Sequence, residues 1–275
     1  MNGGRVDSLS SWAASLRELA GRTLRDAEIL DSESTPDTLA SFVDTFEDEM
    51  GHRRAVDRPM LVRVLGPRLG SQAKRLLGES NPTSRPDESS GPELVLWRAA
   101  ASRAIGLSPD VSEADAFGRA LDRARAMARG EGLLATPDDV WGAIETRTES
   151  VLASLHAATW LGDGHRLDSQ VRAAAEELLD VLQPDNGTQH PWAVHVFLAL
   201  GEELASGTGA DEPRAWRARH YAQTLVHNAI VNTGSPDRFS ALVLLDAAAW
   251  LDEAGLRKGT GERTARQDAA QDKEG

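Results

Sequence analysis

Apolar residues recur with a helical period along most of the chain. Leu9, Trp12, Ala13, Leu16, Leu19, Ala20, Leu24 and Ala27 follow a 3.6-residue repeat, which predicts a long amphipathic first helix. Ser34-Thr35-Pro36 opens a second, because a hydroxyl can cap free N–H groups and proline at the first helical position has none to lose. Leu39, Phe42, Val43, Phe46 and Met50 form its expected buried stripe, with Gly51 as its stop. Thr136-Pro137, His190-Pro191, Glu212-Pro213 and Ser235-Pro236 repeat the same start, and Gly130, Gly162, Gly234 and Gly255 repeat the stop. Ser112 with Asp115 sets a capping-box-like start before Phe117, Ala120, Leu121, Ala124 and Met127.

Strand-like alternation is scarce. The pattern predicts an all-α protein of about ten helices in irregular antiparallel α-hairpin packing. The helix starts share no fixed period, which argues against a regular solenoid.

Residues 79–92, ESNPTSRPDESSGP, contain no aliphatic or aromatic side chain and are expected to form a linker or surface loop. That loop separates an N-terminal helical region, residues 1–78, from a main helical domain, residues 93–256. From 257 to 275 alanine is the only apolar residue, and the segment is expected to be a disordered tail.

Composition narrows the chemistry. The 275-residue chain has no cysteine, which excludes disulfides, thiolate nucleophiles and zinc–thiolate sites. The start of the sequence lacks the apolar core of a signal peptide, and no apolar run approaches the roughly 18 residues a membrane span needs. A net charge of −13 disfavours nucleic acid and anionic membranes. The expectation is a cytoplasmic protein whose partner is another protein.

Ionisable residues inside apolar runs are the candidates for chemistry. In DNGTQHPWAVHVFLAL, Asp185 to Leu200, His195 is surrounded by Trp192, Val194, Val196, Phe197, Leu198 and Leu200, and His190 stands at the mouth of the run. Such an imidazole is expected to be a neutral core residue tied to a carbonyl or carboxylate. The other reading places it on a cavity wall. His220, Thr224 and His227 share one helix face, with Tyr221 and Asn228 beside them. Asp246, inside ALVLLDAAAWL, needs a partner if buried, and His227 or Arg238 are the conceivable ones. If His195, His220, His227 and Asp246 converged, they would form an acid–base set, with Trp192, Tyr221 and Asn228 contacting a ligand. That arrangement would suit an (α/α)-toroid-like hydrolase or lyase. Glu177 to Gly187, ELLDVLQPDNG, resembles in a single copy the helix ends of terpene-cyclase and prenyltransferase (α/α) toroids.

Metal and cofactor signals are absent from the sequence. No helix offers two histidines one turn apart, and the Glu49-to-His52 spacing of di-iron bundles occurs once where two copies are needed. No phosphate loop, dinucleotide fingerprint or nucleophile elbow occurs. Residues 53–75 carry Arg53, Arg54, Arg58, Arg63, Arg68, Lys74 and Arg75 against Asp57 alone. Arg63 and Arg68 could hold an anion. However, residues 36–50 carry Asp37, Asp44, Glu47, Asp48 and Glu49 and no base, so the two stretches are expected to satisfy each other across a hairpin. The seven tryptophans are spread about one per helix, as core anchors would be. Taken together, these features favour a non-catalytic interaction or scaffold module without a cofactor.

Overall fold

A computed structural model describes residues 8–24, 34–78, 91–107, 111–129, 140–162, 167–181, 188–206 and 211–271, without the side chains of 111–115, 140–146 and 256–271. The described residues form eleven α-helices and no strand. In order these are α1 (Leu9–Leu24), α2 (Pro36–Thr45), α3 (Asp57–Leu69), α4 (Gln72–Gly78), α5 (Pro92–Ala104), α6 (Val111–Ala128), α7 (Val140–Ala158), α8 (Ser169–Val181), α9 (Val194–Ser206), α10 (Glu212–Ile230) and α11 (Arg238–Gln271). A 3-10 turn, Thr159–Leu161, extends α7. The all-α expectation holds.

Neighbouring helices pair in the irregular manner expected. α1 lies along α11, α9 packs on α10, and α5 sits between α3, α6 and α7. One hydrophobic core runs through all of them, from Ala13 on α1 to Ala254 on α11. Its centre is α9, where every residue from Val194 to Gly201 is buried. A helix apolar on all sides must be enclosed on all sides.

Three local expectations change. α2 does begin at the Thr35 cap, whose hydroxyl accepts from Thr38 N, but it ends at Thr45 and not at Gly51. The Asp48 carboxylate accepts from the backbone N–H groups of Met50 and His52, at 3.0 and 2.8 Å, and this side-chain turn replaces further helix. Met50 is consequently 65% exposed, not part of the stripe. At the other end of the chain, Gly255 lies within α11 and does not stop it. A Cβ there would meet Ser10 Oγ at 2.9 Å, so the glycine serves the close approach of α1. Finally, α9 begins at Val194, three residues after Pro191.

Ala27, Gly130, Thr136-Pro137 and most of the 79–92 loop fall outside the described residues, as do the side chains of the Ser112–Asp115 box and the side chains and last four residues of the 257–275 tail.

Candidate functional site

The end of α7 turns a polar edge into the core. His156, Thr159 and Trp160 follow one another at helical spacing and meet His195 from α9, Asp246 from α11 and Arg63 from α3. The backbone N–H of Ala193 donates to His156 Nδ1 at 3.1 Å, which leaves the ring proton on Nε2. That proton is directed to Asp246 Oδ2 at 3.2 Å, and the Trp160 indole N–H donates to the same oxygen at 2.6 Å. The Arg63 guanidinium lies over the Trp160 ring, 3.4 Å from its centroid, and 3.9 Å from Asp246 Oδ1. Thr159 donates its hydroxyl to the His156 carbonyl at 2.7 Å and accepts from His195 Nε2 at 2.9 Å. His195 Nδ1 is buried without a hydrogen-bond partner. Trp97 and Trp192 pack on His156, and Trp250 packs on His195.

Burial sets the charge states. It draws His156 below the ordinary imidazole value despite Asp246, and it draws His195 well below, with His156 and Arg63 adding to the effect. Burial alone would raise Asp246, but the Arg63 charge and the His156 and Trp160 hydrogen bonds outweigh it and hold the carboxyl below its ordinary value. The result is an ionised aspartate beside two neutral imidazoles.

A second group surrounds the entrance to α9. Arg54 Nη1 donates to His190 Nε2 at 2.5 Å, so His190 carries its proton on Nδ1 and offers it to Ser240 Oγ at 3.0 Å. Burial and the Arg54 charge bring His190 down to about 4, against Asp237 and Asp48. A serine–histidine pair of this polarity is wrong for nucleophilic catalysis. The imidazole donates to the hydroxyl and has no free lone pair to accept its proton. Part-buried Glu149 accepts from the backbone N–H groups of Gln189 and His190 at 2.8 and 3.3 Å, and burial pushes its carboxyl up to about 7. Asn228 donates to the Thr188 hydroxyl at 3.1 Å.

Both groups therefore grip one segment, Thr188 to Ala193. Ala193 has φ 58°, the only non-glycine residue in the left-handed region among the described residues. Such a conformation costs on the order of 1–3 kcal/mol and persists where the surroundings enforce it. Here the enforcing groups are Glu149 and His156 of α7, Asn228 of α10, Ser240 of α11, and Arg54 ahead of α3. The arrangement is chemically a clamp on the turn that delivers the central helix.

The residues singled out by sequence thus separate. His195 and Asp246 lie in the buried network, each bonded to the α7 segment. Asp246 pairs with neither His227 nor Arg238; Arg238 reaches the Glu47 carbonyl instead. His220 and His227 are exposed on the outer face of α10 and share no pocket with the other two. Trp192 is core, and Tyr221 is buried against Phe197 with ring centroids 4.2 Å apart. Arg63 is engaged inward, and Arg68 is half-buried on α3. Arg58 and Arg75 pair with Asp44, and Arg54 with Asp48, as opposite charges across a hairpin should; Arg54 also pairs locally with Asp57. His156 and Glu149 escaped the sequence reading, which took Trp160 only as a core anchor. ASLHAATW presents His156 in an apolar run much as WAVHVF presents His195, and that signal could have found it.

Trp216 breaks the core-anchor pattern. It is 61% exposed on α10 and stacks on His220, with the rings 5.0 Å apart and 8° from parallel. Beyond them the same face exposes Gln223, His227 and Val231.

Compared with known proteins, the chain matches no family model, no curated protein and no solved structure. Among the described residues no group of histidine and acidic side chains is arranged to hold a metal ion, and no helix is long and apolar enough to cross a membrane.

Proposed function

We propose that the chain is a non-catalytic protein-interaction module, acting in the cytoplasm, whose working surface is the outer face of α10. The observation that carries this reading is the exposed Trp216, stacked flat on His220. A tryptophan held in one orientation at the surface offers a large contact area at little entropic cost, and such residues dominate binding energy at interfaces. The side chains with catalytic potential support the same reading from the other direction. His156 has both ring nitrogens engaged, Asp246 is held by His156, Trp160 and Arg63, and the one unpartnered ring nitrogen, His195 Nδ1, is itself buried in the core. The −13 charge weighs against nucleic acid as the partner.

Photocrosslinking in the native cells tests the proposal. A photoreactive residue at Gln223 is expected to yield a discrete protein adduct, while one at exposed Ser71, on a different part of the molecule, yields none. Absence of any adduct from Gln223 contradicts the reading.

A further inference from the structure

We infer that the partner on this face is a second copy of the chain, docked antiparallel along α10; the inference rests on the interaction reading above. Trp216, His220, Gln223, His227 and Val231 are all exposed, and the backbone at Val231 is still helical, with φ −59° and ψ −34°. At 100° and 1.5 Å per residue they form one stripe, about 80° wide and about 22 Å long. Trp216 and Val231 are also two of the four large apolar side chains exposed among the described residues.

The stripe is palindromic. An apolar residue stands at each end, an imidazole comes next from either side, and Gln223 sits near the middle. A two-fold contact requires each patch to complement itself in reverse. Antiparallel pairing satisfies that requirement, setting Trp216 against Val231 of the second copy, His220 against His227, and Gln223 near the axis. A partner of different sequence would impose no such symmetry. Charge points the same way. Two chains of net charge −13 repel each other overall, yet no residue of the stripe is an acid, lysine or arginine. Here two copies can approach without setting carboxylate against carboxylate. A single helix pair of this length covers less than the roughly 800 Å² per partner of a standard interface, so the dimer is weak and forms in a concentration-dependent way.

Sedimentation velocity of the full chain from about 5 to 500 μM reads the equilibrium directly. Trp216→Glu is expected to weaken the dimer at least about tenfold. Val231→Lys also weakens it. The double variant W216E/V231K restores association to within about threefold of the native chain, because the antiparallel pairing sets each new glutamate against a new lysine of the other copy, two pairs in all. Both positions are exposed, and unchanged circular dichroism verifies the fold of each of the three variants. A native chain that stays monomeric throughout, or a double variant no better than W216E, overturns the inference. An adduct at Gln223 with a different protein also overturns it while leaving the interaction reading standing; no adduct removes that reading as well.

Discussion

His156 uses both ring nitrogens, and its neighbour His195 uses one. The two neutral imidazoles, both fully buried, therefore differ sharply in what their loss would cost. His156→Ala strands the Ala193 N–H, removes a donor from the Asp246 carboxylate and leaves a cavity among tryptophans. We predict a loss of about 3 kcal/mol or more in urea unfolding. His195→Leu removes one hydrogen bond but also a buried lone pair with no partner, and Thr159 keeps its bond to the His156 carbonyl. It should cost no more than about 1.5 kcal/mol. Equal costs would refute this division of roles. Sequence patterning marked His195 and Asp246 as polar residues in apolar runs. It could not find their partners, because Arg63 and Asp246 meet across 183 positions and no periodicity links residues that distant.

At the scale of elements, punctuation residues carried most of the information. Thr35, Pro213 and Gly234 mark helix ends as their chemistry requires. The misreadings have physical causes: Asp48 captured amides that would have extended α2, and the Ala193 turn delayed α9. Gly201, like Gly255, lies within a helix and serves contact instead of termination. At Gly201 on α9 a Cβ would lie 2.9 Å from Arg219 Cγ and 3.1 Å from the Ala215 carbonyl oxygen of α10. Gly201→Val must push these two helices apart, and we expect it to cost about 1–3 kcal/mol in the same unfolding assay. A neutral result would mean that the α9–α10 pair is looser than its geometry implies.

Across the whole molecule, three buried imidazoles and the Glu149 carboxyl, raised to about 7, are the groups through which stability responds to pH around neutrality. His156, His190 and His195 all titrate lower when folded than the ordinary 6.5, so their contribution is complete above that value and lost as pH falls towards the folded values, about 4 for His190. Glu149 acts in the opposite sense, since its folded value near 7 exceeds 4.5 and its contribution fades as pH rises through that interval. Three groups outweigh one, and the fold should weaken as pH drops below 6.5. The same imidazoles bear on the central claim that the molecule's ionisable interior is a closed clamp and its work is done on its surface. The most direct measurement is the proton–nitrogen histidine spectrum of the folded chain from about pH 8 to about pH 5.5. His156 and His195 should hold their single proton on Nε2, and His190 its own on Nδ1, throughout. A second proton on any of the three within that range, with the fold intact, would contradict the account.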